Sequence, residues 1–133
     1  MSNSNLVTRW WPANPTNYTQ GREGNKIQGI VVHHAASTSL ESIGAAFARA
    51  GRNGSAHYGV GGNQVHQYVD EANTTWHCSN WWGNVRTVGI ETTNSTGAPN
   101  WEIASDTFET LVKLVADIAK RNNLGRLWTN PKA

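Results

Sequence analysis

Cysteine is almost missing from this chain. Cys78 is the single one in 133 residues, so an internal disulfide framework is excluded and the composition fits synthesis in a reducing compartment. A long apolar run is missing too. The start, MSNSNLVTRWW, has no hydrophobic signal core, and no stretch approaches membrane-spanning length, which argues against a signal peptide, classical secretion and membrane insertion. Excess charge is equally absent: 11 Lys and Arg against 9 Asp and Glu leave +2, with no basic cluster, so no nucleic-acid footprint is encoded. One cysteine forbids C-x-x-C, and neither the G-x-S-x-G elbow nor the phosphate-binding G-x-x-x-x-G-K-[ST] loop occurs. With 38% hydrophobic and 15% charged residues, what remains is one small globular domain, residues 1–133, with a modest core.

Tryptophan, by contrast, is abundant, with seven in the chain. Most single tryptophans are packing residues. Trp76, Trp81 and Trp82 differ because they crowd into the turn-rich stretch WHCSNWW, where no regular element is expected to bury all three, and they are read as a ligand-facing wall.

Residues 1–25 are polar and punctuated by Pro and Gly and are expected to form an ordered-loop arm. Ile27 to Val32 is short, β-branched and apolar, the pattern of a strand covered on both faces. Thr38-Ser39-Leu40-Glu41 reads as a capping box opening a helix with Leu40, Ile43, Phe47 and Ala50 on one stripe, stopped by Gly51-Arg52-Asn53-Gly54. His57–Val60 and Gln64–Val69 flank Gly61-Gly62-Asn63 and predict a hairpin. A loop is expected from Glu71 to Asn84, a strand at Thr87–Thr92, and a second helix over 105–123, capped by Ser105 or Asp106 with Glu109 and burying Phe108, Leu111, Val112, Val115 and Ile118. The order predicts an α/β fold, a mixed central β-sheet flanked by helices.

The chemistry-bearing groups fall at strand ends or beside them. In IVVHHAAS, His33 and His34 close an apolar run; neighbouring side chains on a strand point to opposite faces, so one serves a cleft and the other is structural. Neutral imidazole is a common metal ligand. Glu91 directly follows the apolar TVGI, where burial would raise its pKa toward that of a useful base. His66, inside the hairpin, is read as structural. A metal-bound water beside a carboxylate base is suited to amide hydrolysis.

Taken together, IVVHHAAS, SAHYGVGGNQVHQYVDE, TTWHCSNWWGN and TVGIETTNSTGAPNWEIASD resemble the zinc-dependent N-acetylmuramoyl-L-alanine amidases of the amidase type 2 group, which include phage endolysins and share a fold with peptidoglycan recognition proteins. The likeness runs from about Ile27 to Gly125. It implies hydrolysis of the amide between N-acetylmuramic acid and L-alanine in bacterial peptidoglycan. It also implies His33 as a zinc ligand, Glu91 as catalytic acid/base, and His57 and Tyr58 lining the metal site, which of the two faces the metal being open; His57 is taken as the further catalytic candidate. Trp76, His77, Trp81 and Trp82 would border the substrate groove, and Asn94 would touch glycan or stem peptide. Accumulation in the host cytoplasm before lysis, followed by action on the cell wall, is implied by the same likeness.

One departure stands out. Relatives take two more zinc ligands from a later H-x-D…T-x-C-P-G segment, whereas the last histidine here is His77 and after Gly125 only RLWTNPKA follows. The sequence therefore reads as an amidase domain whose C-terminal metal-ligand segment is missing. Three accounts stay open: a truncated domain without its metal site, ligands supplied by a second polypeptide, or substitution by local groups such as His57 and Cys78. The alternative function is a non-catalytic muropeptide-binding module.

Overall fold

The structure, a computed structural model, describes residues 2–128; the final residues 129–133 of the expected domain lie outside it. In chain order the strands and helices are β1 (Arg9–Trp10), β2 (Tyr18–Thr19), β3 (Gly29–His34), α1 (Leu40–Ala48), β4 (Tyr58–Gly61), β5 (Gln64–Gln67), β6 (Thr74–Thr75), α2 (Trp81–Asn84), β7 (Thr87–Thr92) and α3 (Ser105–Arg121). Five strands form one sheet in the order β1-β5-β4-β7-β3. The β4–β5 hairpin is antiparallel and β3, β7 and β4 run parallel. The sheet is thus mixed and carries helices on its two faces, the expected class.

Strand parity sorts the core into two layers. Val88 and Ile90 of β7 and Tyr58 and Val60 of β4 join Leu114 and Ile118 of α3 in one apolar cluster, all fully buried. Each such aliphatic side chain contributes about 1.5–3 kcal/mol. Ile43 and Phe47 of α1 pack on the other face with Ala56, Tyr68 and Val69. Gly89 and Glu91, the alternate residues of β7, therefore look toward the α1 layer.

Several expectations are corrected. β3 is not covered on both sides: it lies last in the sheet order, and Val32 is 48% exposed. Helix α1 is capped by Ser39, whose hydroxyl accepts from the Ser42 N–H at 3.2 Å, not by the Thr38 box; Glu41 instead pairs with Arg9 at 2.8 Å. Helix α3 has no side-chain cap, since its N-cap is Ala104. Its buried residues are Thr107, Leu114, Ile118 and Ala119, while Phe108 and Val112 stand 57% and 50% exposed, about 100° and 140° round the helix from Thr107. The N-terminal arm is ordered but not merely loop: β1 pairs with β5 and β2 with β6. The tryptophan-rich loop also contains regular structure, because Asn80 accepts from the Gly83 N–H at 3.0 Å and opens the one-turn α2.

Candidate active site

The parallel register of β3 and β7 pairs His33 with Glu91. Paired residues of neighbouring strands share a sheet face, so the imidazole and the carboxyl lie side by side on the α1 face. Glu91 opens onto a hollow of about 220 Å³ walled by Ala35, Ser37, Ser42, Ile43, Phe47 and Arg52. No hydrogen-bond donor among the described residues reaches its carboxylate. Burial disfavours the charged form and raises its pKa from 4.5 to about 7, against a smaller opposing pull from Arg52. A carboxyl poised there can take and return a proton near neutral pH.

His77 joins the same face. A Cβ at Gly89 would stand 2.7 Å from the His77 ring, so only glycine at that place on β7 lets the imidazole lie against the strand. His77 Nδ1 then sits 3.1 Å from His33 Nε2. Burial lowers the pKa of both rings: at His33 the charge of His34 adds to it, and at His77, brought to about 4, His33 and then Arg22 add to it. Both are therefore neutral at physiological pH. His34 points the other way, is exposed, and lies against Trp101, the structural member of the pair.

Other expected site residues are placed elsewhere. Tyr58 faces the α3 core, fully buried, its hydroxyl donating to the Glu71 carboxylate and accepting from the Ser4 N–H at 3.0 Å. It is a structural residue, not a substrate contact. His57 is likewise fully buried. The Asn73 carbonyl, 2.8 Å away, can only accept, so His57 Nε2 donates; Gly89 N–H donates to Nδ1 at 3.1 Å. Its pKa is held well below the usual value by burial and then by neighbouring Arg22. With both nitrogens engaged between backbones, His57 is not available as a catalytic group. Asn94 is buried and spent on the loops, accepting from Ser37 N–H at 3.3 Å and donating to the Trp101 carbonyl at 2.9 Å, which removes it from substrate contact.

The tryptophans divide. Trp76 is half-buried and donates to Thr19 at 2.9 Å. Trp81 and Trp82 stand 43% and 66% exposed on α2, Trp81 bonded to Glu23 at 3.0 Å and Trp82 beneath the Arg86 guanidinium at 4.5 Å. None of the three lines the Glu91 hollow.

Two groups near Glu91 escaped the sequence reading. Arg52 was read as part of a helix stop but supplies the cation of the hollow. The Tyr68 hydroxyl is buried without a partner and lies over Gly59, where a Cβ would stand 2.1 Å from it; Gly59 is the register partner of Glu91 in β4. Burial and then the charge of Glu91 push the Tyr68 pKa up. The alternation Val65/Gln67 against His66/Tyr68 in the hairpin was the available signal for its facing.

No three His, Cys, Asp or Glu side chains among the described residues come together as a metal site. A catalytic zinc takes three protein ligands plus water, so these residues alone do not fit one. Substitution by His57 and Cys78 does not meet that need, because His57 is engaged on both nitrogens and Cys78 Sγ contacts Asn84 Oδ1 at 3.0 Å.

Comparison with known proteins agrees with this architecture. AmpD, as its selenomethionine derivative, superimposes at a TM-score of 0.73 with 17% identity, over 93% of this chain and 81% of AmpD. The catalytic domain of XlyA gives 0.72 with 17% identity over 90% and 80%, and a mutant endolysin from Bacillus subtilis 0.69 with 18% over 94% and 80%. At such identities the likeness shows the fold. Endolysin PlyTW of Staphylococcus phage Twort is 35% identical over 81 residues, 56% of this chain; the chain spans 17% of that endolysin's length. The family model for N-acetylmuramoyl-L-alanine amidase matches residues 23–129, and the chain belongs to that family, amidase type 2.

Proposed function

We propose that this chain hydrolyses the amide joining N-acetylmuramic acid to L-alanine in bacterial peptidoglycan, with Glu91 as the acid/base. The observation that carries the reading is the pairing of His33 with Glu91 on one sheet face, Glu91 facing an open hollow with a pKa near neutrality. Glu91 as carboxylate takes a proton from water as the water oxygen bonds to the amide carbon. The resulting carboxylic acid delivers that proton to the alanine nitrogen as the carbon–nitrogen bond breaks. Arg52, at the rim, is the cation available to an acidic group of the stem peptide.

The family is in general zinc-dependent, and zinc in such sites lowers the pKa of bound water and polarises the carbonyl. His33 is the ligand this chain offers; the further donors are, on this reading, supplied from beyond residues 1–133, by a following segment or another polypeptide. Among the described residues no helix is long and apolar enough to cross a membrane. The kinship with a phage endolysin supports synthesis in the host cytoplasm and action on the wall.

A second reading, a wall-binding module without turnover, is the one that needs no metal trio, and none comes together among the described residues. Purified peptidoglycan separates the two. Release of free alanine amino termini, lowered 10²–10⁴-fold in Glu91→Gln with wall binding retained, is expected of the enzyme. Wall binding without release, even with zinc and the segment or polypeptide that supplies the further donors present, identifies the binding module.

A further inference from the structure

Both nitrogens of His77 are engaged, and the order in which they are engaged can be read off from one hydroxyl. Thr87 Oγ1 lies 2.8 Å from the Gly83 carbonyl oxygen. A carbonyl only accepts, so the single hydroxyl proton goes there. The same Oγ1 is 3.0 Å from His77 Nε2 and, its proton spent, must accept; His77 therefore carries its proton on Nε2. In the neutral ring Nδ1 is then a bare lone pair, and it faces His33 Nε2 at 3.1 Å, the two rings meeting edge to face at 84°. That contact is a hydrogen bond if His33 holds its proton on Nε2, which leaves His33 Nδ1 bare. The ring is held in place from both sides: Gly89 gives it room, and its own backbone N–H donates to Asn84 at 3.2 Å.

We propose that His77 is a positioning residue, relaying the Thr87–Gly83 anchor of α2 to His33 so that His33 keeps its Nε2–H form and presents Nδ1 as the open lone pair of the site. This rests on the assignment of His33 and Glu91 to one reaction site, and it moves His77 from the substrate groove to the support of His33. The relay turns a choice between two nearly equal tautomers into one, fixing which nitrogen can receive a proton or a cation.

The test is nitrogen NMR of the metal-free, ¹⁵N-labelled chain at pH 7.5, joined to kinetics on peptidoglycan. Expected are Nε2–H signals for both rings and a nitrogen–nitrogen coupling across the hydrogen bond from His33 Nε2 to His77 Nδ1. Thr87→Val should abolish the coupling while the amide spectrum keeps its dispersion, and Thr87→Ser should restore it. Thr87→Val should also lower kcat about 10-fold at unchanged KM. A bare His33 Nε2, no coupling in the wild type, a coupling that survives Thr87→Val, or a rise in KM at unchanged kcat overturns the proposal. If the wild-type chain shows the coupling but gives no hydrolysis when zinc and the donors from beyond residue 133 are supplied, the functional reading fails while the relay stands.

Discussion

Two glutamates are sunk into opposite faces of the same sheet, and they have opposite surroundings. Glu71, on the α3 side, is fully buried. It takes two contacts from Arg121, at 2.7 and 3.2 Å, one from Asn122 at 3.4 Å and one from the Tyr58 hydroxyl, while its own carbonyl accepts from Arg22 at 2.6 Å. Glu91, on the α1 side, has no donor among the described residues and looks into a hollow. A carboxylate with all its lone pairs matched is a rivet. One desolvated without partners is costly to keep charged, and such cost is what a reversible proton carrier requires. The sequence places an acidic residue at each site, and only the neighbours distinguish them.

Substitutions sharpen the contrast, the largest effect falling on the rivet. Glu71→Ala strands the Arg121 guanidinium and the Tyr58 hydroxyl and should cost about 3–5 kcal/mol in urea denaturation; a loss under about 1 kcal/mol would mean the network is ornamental. Glu91→Gln should do the reverse. Because the folded pKa of Glu91 is raised from 4.5 to about 7, its stability contribution is full below pH 4.5 and is lost as pH rises through 7. The variant should therefore be more stable than the wild type at pH 8.5 by up to about 3 kcal/mol, at about 1.4 kcal/mol per pH unit, and equal to it at pH 4. Equal stability at both pH values would remove the case for a strained carboxyl. The smallest effect belongs to Arg52→Gln: losing this cation, which opposes burial, should move the Glu91 titration, followed by ¹³C NMR, upward by less than about one pH unit.

Much of this was legible in one dimension. Strand β7 matches its expectation residue for residue, Thr87–Thr92, because an apolar β-branched run bounded by turns has few alternative readings. Strand alternation says only that one of His33 and His34 serves the cleft; the family resemblance implies His33, and the register pairs it with Glu91. What failed depends on three-dimensional neighbours. His57, Tyr58 and Asn94 are placed at the site by the resemblance of their motifs to the family, yet all three are buried with their polar groups bonded inside the fold. That saturation arises from Asn73, Glu71 and Trp101, distant or irregular positions that no local pattern marks. The edge position of β3 is a property of sheet order, and Val32 cannot announce it. Strands of two residues, such as β1 and β2, are too short to carry a period. Phe108 and Val112 misled because several apolar residues of α3 form more than one plausible stripe, and the sheet selects one.

The N-terminal arm, expected as ordered loop, has a part in the hollow. Trp11 presses its indole against Gly44 so closely that a Cβ there would stand 2.4 Å from the ring. Asn14 N–H and the Asn17 amide both donate to the Phe47 carbonyl, at 2.9 and 2.8 Å. Ile43 and Phe47, on the same turns of α1, are walls of the Glu91 hollow. A protein begun at residue 23, where the family match starts, would retain His33 and Glu91 and lose the buttress behind one side of the hollow that Glu91 faces.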